Sequence, residues 1–127
     1  MKLRIKGNSI RLRLLRSEVE RFAIERRISD EVRFGANAFR YSLRMSSEVD
    51  SIHAHFDANE ITVLVSEPAA RKWAESDDVG LETQQAIGDS ETLTVIIEKD
   101  FVCVDRPDDP DRDDAFPNPQ LTCGQAS

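Results

Sequence analysis

Apolar and polar positions alternate at the start of the chain, in the stretch KLRIKGNSIRLRLL. Apolar residues alternate with basic ones before Gly7-Asn8, and the alternation resumes after this pair. Period-two alternation on both sides of a Gly-Asn pair is a strong signal for a β-hairpin. The pattern therefore predicts strands at about residues 2–6 and 10–15.

A helix is predicted directly after this hairpin, at about residues 17–27. Ser17 stands three residues before Glu20, which is the spacing of a capping box. In that motif each of the two side chains bonds a backbone N–H that the first helical turn leaves unpaired. Val19 and Phe22 follow at helical spacing and predict the buried face.

The rest of the chain predicts six more strands and a second helix. The strands are predicted at about residues 28–34, 39–45, 52–57, 60–66, 79–83 and 93–102. The second helix is predicted from Pro68, whose missing N–H is tolerated in a first helical turn, to about Asp77. This order predicts an α+β domain in which about eight mostly antiparallel strands form one curved or barrel-like sheet, with two helices outside.

The two halves of the chain share one pattern. The segment His53–Ala74 falls on Lys2–Ala23 without a gap. Turn and helix positions then meet similar residues: Asn8 meets Asn59, and Phe22 meets Trp73. A single offset that preserves turn, strand and helix positions indicates an internal duplication. We therefore predict pseudo-repeats at residues 2–45 and 53–98 of one domain, residues 1–104.

Residues 105–127 differ from the rest and are predicted to form an acidic tail. Six aspartates fall between Asp105 and Asp114, and four prolines interrupt any regular element. Phe116 is the only aromatic residue of this segment. It is therefore the candidate anchor if the tail docks on the domain.

Charge is unevenly distributed along the chain. The net charge is −7, but residues 1–45 carry 12 Lys/Arg against 5 Asp/Glu. The acidic total argues against non-specific nucleic-acid binding, because contacts to phosphates need net positive charge. The start MKLRIKGN lacks the apolar segment of a signal peptide, and no apolar run is long enough to span a bilayer. We therefore expect a cytoplasmic protein without a membrane partner.

Metal and cofactor chemistry find little support in the residues. Asp109, Asp111 and Asp113 alternate as at the start of a calcium loop, but the Gly and the final Glu of that loop are missing. His53 and His55 share a strand face without a placed third ligand. No Gly-rich phosphate loop or nucleophile motif is present. We expect no metal, no cofactor and no catalytic residue.

A basic sheet face remains as the candidate site. Its members are cationic side chains that share one face of predicted strands: Lys2, Arg4, Lys6, Arg11, Arg13, Arg40 and Arg44. Like charges crowded on one face repel each other unless water or an anion separates them. The face is either a solvated sheet surface or, if the sheet curls around it, a site for anions or for the acidic tail.

Two resemblances bear on the fold and function. Through LRIKGNSIRLRL, WAESDDVG, EKDFVCVDR and FPNP, the chain resembles a family of small, uncharacterised bacterial proteins. This resemblance implies a bacterial origin and brings no activity with it. In outline the duplicated pattern is also similar to the triphosphate tunnel enzymes of the CYTH class. Those enzymes bind metal through Glu-x-Glu-x-Lys on the first strand, where this chain has Lys2-Leu3-Arg4-Ile5-Lys6.

The sequence therefore leaves the function unknown and favours a small, non-enzymatic binding or interaction protein. The alternative is a binder of anions or phosphate compounds, or a hydrolase-like protein, with a tunnel that lacks the metal-binding carboxylates. A small anionic ligand or a protein is the expected partner.

Overall fold

A computed structural model describes residues 1–101, Asp114 and Phe116 of the chain. This part of the chain contains eight strands and two helices, as the sequence predicts. In chain order they are β1 (Lys2–Lys6), β2 (Ser9–Leu14), α1 (Arg16–Glu25), β3 (Arg27–Phe34), β4 (Asn37–Ser46), β5 (Ile52–Asp57), β6 (Glu60–Ser66), α2 (Glu67–Glu75), β7 (Gly80–Ala86) and β8 (Thr92–Lys99). Neither helix in the described part is long and apolar enough to cross a membrane.

The strands form two four-stranded sheets, which we call the first sheet and the second sheet. The strand order is β1-β2-β8-β7 in the first and β3-β4-β6-β5 in the second. In each sheet the two central strands are parallel and the two outer pairs are antiparallel. The α+β class is confirmed, but the sheets do not close into a barrel. The single curved or barrel-like sheet is not found because each helix carries the chain from one sheet to the other.

Each sheet combines hairpins from both halves of the chain. The first hairpin of one half lies beside the second hairpin of the other half in both sheets. The first hairpins turn at Gly7-Asn8 and at Ala58-Asn59, where Gly7, Ala58 and Asn59 have φ of 56°, 52° and 62°. Such left-handed residues match the twist of a tight hairpin. The internal duplication, and with it the superposition of residues 2–45 on 53–98, stays a prediction.

Alternation along the strands produces the hydrophobic core. In β2, Ile10, Leu12 and Leu14 are buried, whereas Arg11 and Arg13 are only partly buried on the other face. The central strands of both sheets, together with the two helices, contribute further buried side chains to one cluster: Phe22, Leu43, Val63, Val65, Trp73, Val95 and Ile97. Trp73 also donates a hydrogen bond of 3.1 Å from Nε1 to the Val79 carbonyl oxygen, so its polar atom is satisfied inside the core.

Helix α1 begins differently from the prediction. The capping box predicted at Ser17 and Glu20 does not form, because the helix starts at Arg16 and Ser17 already lies in its first turn. The Glu18 carboxylate instead accepts a hydrogen bond of 2.8 Å from the backbone N–H of Leu15, the N-cap residue. Leucine has no acceptor to return the bond. Only the carboxylate half of the motif is present.

The start of the chain is tied to both α1 and the second sheet. The buried ammonium of Met1 pairs with Glu18 and, at 3.0 Å, with Asp30 Oδ2. The Tyr41 hydroxyl donates a hydrogen bond of 3.0 Å to the Met1 carbonyl oxygen. Burial raises the pKa of Tyr41, and the carboxylates of Asp30 and Glu18 raise it further. Glu18 therefore serves helix α1 and the N-terminus at once.

The two helices are linked by a three-residue ion cluster. Arg26, which ends α1 with a left-handed φ of 69°, places two guanidinium nitrogens 2.9 Å from the two oxygens of Glu67. Arg71 Nε donates to the same carboxylate at 2.9 Å. Hydrogen bonds from the two arginines lower the pKa of Glu67 to about 2. The cluster fixes the end of α1 against the start of α2.

Replacing either buried aromatic residue of the helices should destabilise the protein strongly. For Phe22→Ala and for Trp73→Ala we expect the free energy of unfolding to fall by about 3–5 kcal/mol, because each leaves a cavity in the core. The measurement is urea denaturation followed by far-UV circular dichroism. Ile24→Ala is the control, since Ile24 is 81% exposed. A fall for Phe22→Ala no larger than for this control would contradict the role of Phe22.

The ion cluster predicts a pH-dependent stability. The folded pKa of Glu67 is about 2 and lies below its ordinary value of 4.5. The contribution of Glu67 should therefore be complete above pH 4.5 and be lost as the pH falls to about 2. Urea unfolding across this range should show a smaller loss of stability for Glu67→Gln than for the unmodified chain. Glu75→Gln is the matched control, because Glu75 lies 3.8 Å from the same Arg71 but is 66% exposed. Parallel pH profiles for the chain and Glu67→Gln would refute the assignment.

Candidate functional site

The outer face of the first sheet brings together five of the seven candidate basic residues. They lie on β1 and β2: Lys2, Arg4, Lys6, Arg11 and Arg13. The antiparallel pairing of these strands sets Lys2 opposite Arg13 and Arg4 opposite Arg11. Like charges directly opposite each other on a sheet are unfavourable. The arrangement therefore needs acids or an anion nearby.

Strand β8 supplies acids to part of this face. Because β8 runs parallel to β2, it sets Glu98 beside Arg13. One oxygen of Glu98 lies 3.1 Å from Arg11 Nη1 and 2.6 Å from Arg13 Nε. Asp100, just after the strand, lies 2.9 Å from Lys2 Nζ. These pairs balance the end of the face that adjoins the beginning of β1.

The other end of the face has an excess of positive charge. Arg4, Lys6, Ser9 and Arg11 line a hollow of about 290 Å³. Within the described residues, no carboxylate lies at ion-pair distance from Arg4 or Lys6, and both side chains are exposed. The Ser9 hydroxyl donates a hydrogen bond of 2.8 Å to the Lys6 carbonyl oxygen, which holds the edge of the hollow. We call this hollow the basic pocket.

Arg40 and Arg44 are not part of this face. Both lie on β4 of the second sheet. Arg40 Nη2 is 3.2 Å from Glu31, and Arg44 Nη2 is 3.8 Å from Glu60. The sequence grouped them with β1 and β2 on the assumption of a single sheet. The structure places them in a separate, acid-paired region.

That region borders a larger hollow along β3, one of the two edge strands of the second sheet. Its volume is about 810 Å³. Four arginines and three acids line it: Arg21, Arg27, Arg40, Arg44, Glu25, Asp30 and Glu31. Such interspersed charges at a sheet edge are typical of protection against unwanted strand pairing. The basic pocket is therefore the stronger anion candidate, since none of the described residues that line it is an acid.

Two residues of the predicted tail contact the domain. The Asp114 carboxylate accepts hydrogen bonds from Ser17 at the start of α1, at 3.0 Å from N and 2.5 Å from Oγ. The hydrogen bond from the Ser17 hydroxyl lowers the pKa of Asp114. Phe116 donates its backbone N–H to the Asp100 carbonyl oxygen at 2.8 Å, and its ring lies edge-on to Phe101 at 5.9 Å. The anchoring role of Phe116 stays a prediction; the remaining positions from 102 to 127 lie outside the described residues.

Lys99 is a buried basic residue that the sequence did not single out. Only 6% of it is exposed, and its Nζ donates a hydrogen bond of 2.7 Å to the Ser76 carbonyl oxygen. The same nitrogen lies 5.4 Å from the centre of the Phe116 ring. Burial lowers the pKa of Lys99. The sequence EKD could have indicated this burial. Side chains alternate along a strand, so Lys99 faces inward when its neighbours Glu98 and Asp100 face outward.

Metal-binding groups are sparse where the structure can be described. Across residues 1–101, 114 and 116, no three His, Cys, Asp or Glu side chains lie close enough to hold a metal ion. His53 and His55 are exposed on β5. The alternating Asp109, Asp111 and Asp113 lie outside the described residues, as do Cys103 and Cys123.

Elemental analysis tests the expected absence of a metal. We expect less than stoichiometric zinc, manganese or calcium in protein purified without a metal-binding tag, because the ligand sets read from the sequence are incomplete. The measurement is mass spectrometry of the elements after dialysis against metal-free buffer, with the dialysis buffer as the control. One equivalent of any of these ions surviving dialysis would show that a site exists.

Comparison with known proteins identifies one family. A family model described as "Family of unknown function (DUF7009)" matches residues 1–120. No curated protein and no solved structure matches the chain significantly. The outline similarity to the triphosphate tunnel enzymes therefore gains no support from known proteins, and the open sheets described above do not form a closed tunnel.

Proposed function

The chain belongs to the DUF7009 family, whose function is unknown, and we propose that it is a non-enzymatic protein that binds a small anion in the basic pocket. The observation that carries this proposal is the convergence of Arg4, Lys6 and Arg11 around the pocket, with two of these cations lacking a described acid partner. An anion placed there relieves the repulsion between the cations.

The chemistry of the pocket favours a phosphate-like ligand. Guanidinium groups bind phosphate through paired, charge-assisted hydrogen bonds, and a lysine adds a compact point charge. Arg4 and Arg11 are paired across β1 and β2, so both can reach one ligand from neighbouring strands. The pocket is open to water, and exposed ion pairs contribute only about 0–1 kcal/mol each. We therefore expect a modest affinity that falls with added salt.

Binding fits this face better than hydrolysis. A hydrolase would need a group that activates water beside the bound anion. Two carboxylates at the end of β8 lie on this face. Glu98 is paired with Arg11 and Arg13, and Asp100 is paired with Lys2. Their oxygens are occupied by these cations and not by a water beside the bound anion. The acidic net charge of −7 also favours a small anion over a long polyanion such as nucleic acid.

Neutralising the two cations without described acid partners tests the proposal. We expect Arg4→Gln/Lys6→Gln to bind tripolyphosphate about tenfold or more weakly than the unmodified chain, since roughly 0.5–1 kcal/mol is lost for each charge. Isothermal titration calorimetry at low and at moderate salt measures both the affinity and its salt dependence.

Arg33→Gln/Lys72→Gln is the matched control, because it removes the same two charges at exposed positions on β3 and α2. Equal loss in the control would show that only net charge matters, and an unchanged affinity in the pocket variant would refute the proposal.

Deletion of residues 105–127 is a second experiment. Loss of the contacts of Asp114 and Phe116 should lower the melting temperature. If the acidic tail competes for the basic face, tripolyphosphate should also bind the shortened chain more tightly.

A further inference from the structure

An apolar cleft lies between the two sheets and has no part in anion binding. Its volume is about 530 Å³. Aliphatic and aromatic side chains from both sheets line it: Ile5, Phe39, Phe56, Ile61, Ile87 and Leu93. Volumes of roughly 300–1,000 Å³ are typical of small-molecule sites. The cleft is therefore large enough for a ligand.

The topology explains why neither described helix covers the cleft. Helices α1 and α2 follow directly after β2 and β6, at the end of the sheets where Leu14 and Val65 are fully buried. The cleft lies at the other end, beside the first residues of the same strands, such as Ile10 and Ile61. No helix in the described part of the chain follows the strands toward that end. Among residues 1–101, no element covers the apolar inner faces at that end.

The exposed side chains of the cleft are large. Ile5 is 58% exposed, Phe56 is 64% exposed and Ile87 is 48% exposed. The ring centroid of Phe39 lies 6.4 Å from that of Phe56 and 6.4 Å from that of Tyr41. In a chain of which only 6% is aromatic, such a cluster is a substantial part of the aromatic content. Contiguous exposed apolar surface of this kind marks binding sites on soluble proteins.

Two polar residues, His55 and Gln85, are among the residues that line the cleft. His55 is exposed on β5, whereas Gln85 is already engaged in hydrogen bonds between the sheets. Gln85 of β7 accepts a hydrogen bond of 2.7 Å from the Ala54 N–H and donates one of 2.8 Å to the Ala54 carbonyl oxygen. These two hydrogen bonds join the edge strands β7 and β5 and fix the width of the cleft. Because the Gln85 amide is used in this way, it offers little to a polar ligand. The mainly apolar lining therefore favours an apolar ligand.

We infer that the cleft binds a small molecule through an aliphatic chain or an uncharged ring, with any polar end left in solvent at the mouth. A second copy of this chain is a poorer occupant, because a concave cleft needs a protruding apolar element. Ile24, the most exposed large apolar side chain in the described part, stands on α1 between charged neighbours such as Arg21 and Glu25. The cleft and the basic pocket use opposite faces of the first sheet, so this inference stands apart from the proposed function.

The test uses the full chain and a neutral fluorescent probe, N-phenyl-1-naphthylamine, which the cations of the basic pocket do not attract. We expect saturable binding of one probe per chain and displacement by 1-decanol. Phe56→Ser and Ile87→Ser should each weaken binding about tenfold, because each removes a wall of apolar surface. Both residues are substantially exposed, so the variants should keep the fold, which circular dichroism verifies. Ile5→Ser replaces either variant that does not fold.

Ile24→Ser is the matched control, since it removes an exposed isoleucine far from the cleft lining. It should leave probe binding unchanged, and so should Arg4→Gln/Lys6→Gln. Absence of saturable binding, or equal weakening by Ile24→Ser, would overturn the inference. Analytical ultracentrifugation covers the competing occupant. A dimer that forms with rising concentration and is abolished by Phe56→Ser would assign the cleft to a second copy and overturn the small-molecule assignment.

Discussion

The parallel pairing of the central strands is the constraint on which the structure depends. β2 runs beside β8, and β6 runs beside β4, so each sheet is completed by a hairpin from the other half of the chain. Parallel neighbours need a crossover connection. Both helices lie in the connection from β2 to β8, whereas β4 and β6 are connected through β5. The pairing also orients all four central strands so that the helices gather at one end, where Phe22 and Trp73 complete the core. At the opposite end, no helix of the described residues covers the apolar inner faces. The core, the clustering of the helices and the cleft all result from the parallel pairing of the central strands.

Local pattern was sufficient for the elements and insufficient for their assembly. Tight turns and alternation act within a few residues, so the hairpin at Gly7-Asn8 and the buried face of β2 could be predicted. Parallel pairing of β2 with β8 joins residues such as Arg13 and Glu98, which are distant in sequence, and no local pattern encodes it. The start of α1 failed for a different reason. The sequence signal was Ser17-x-x-Glu20, but the helix is capped two residues earlier, where Glu18 accepts from Leu15 N–H and also pairs with the buried Met1 ammonium.

The candidate site was likewise predictable where it depends on one hairpin, and not where it depends on how strands assemble into sheets. Alternation on β1 and β2 correctly grouped Lys2, Arg4, Lys6, Arg11 and Arg13, because residues of one hairpin face are neighbours whatever the fold. The further grouping with Arg40 and Arg44 required knowledge of which strands share a sheet. The apolar cleft was missed altogether. Ile5 and Phe56 occupy inward positions of alternating strands and look in sequence like core residues. Only the position of the helices shows that no described element covers this end of the core.

Strand β1 serves both candidate sites, because side chains alternate along it. Arg4 and Lys6 face the basic pocket, while Ile5 between them faces the cleft. Coupling between the two sites would require β1 to move against β2. Its ladder runs from Lys2 to Lys6, the Met1 ammonium is fixed by Glu18, and the turn is held where Asn8 Nδ2 donates to the Thr92 carbonyl oxygen at 2.6 Å. A strand fixed at both ends transmits little displacement from one face to the other. We therefore predict that the proposed anion site and the proposed apolar site are independent of each other, although β1 forms a wall of each.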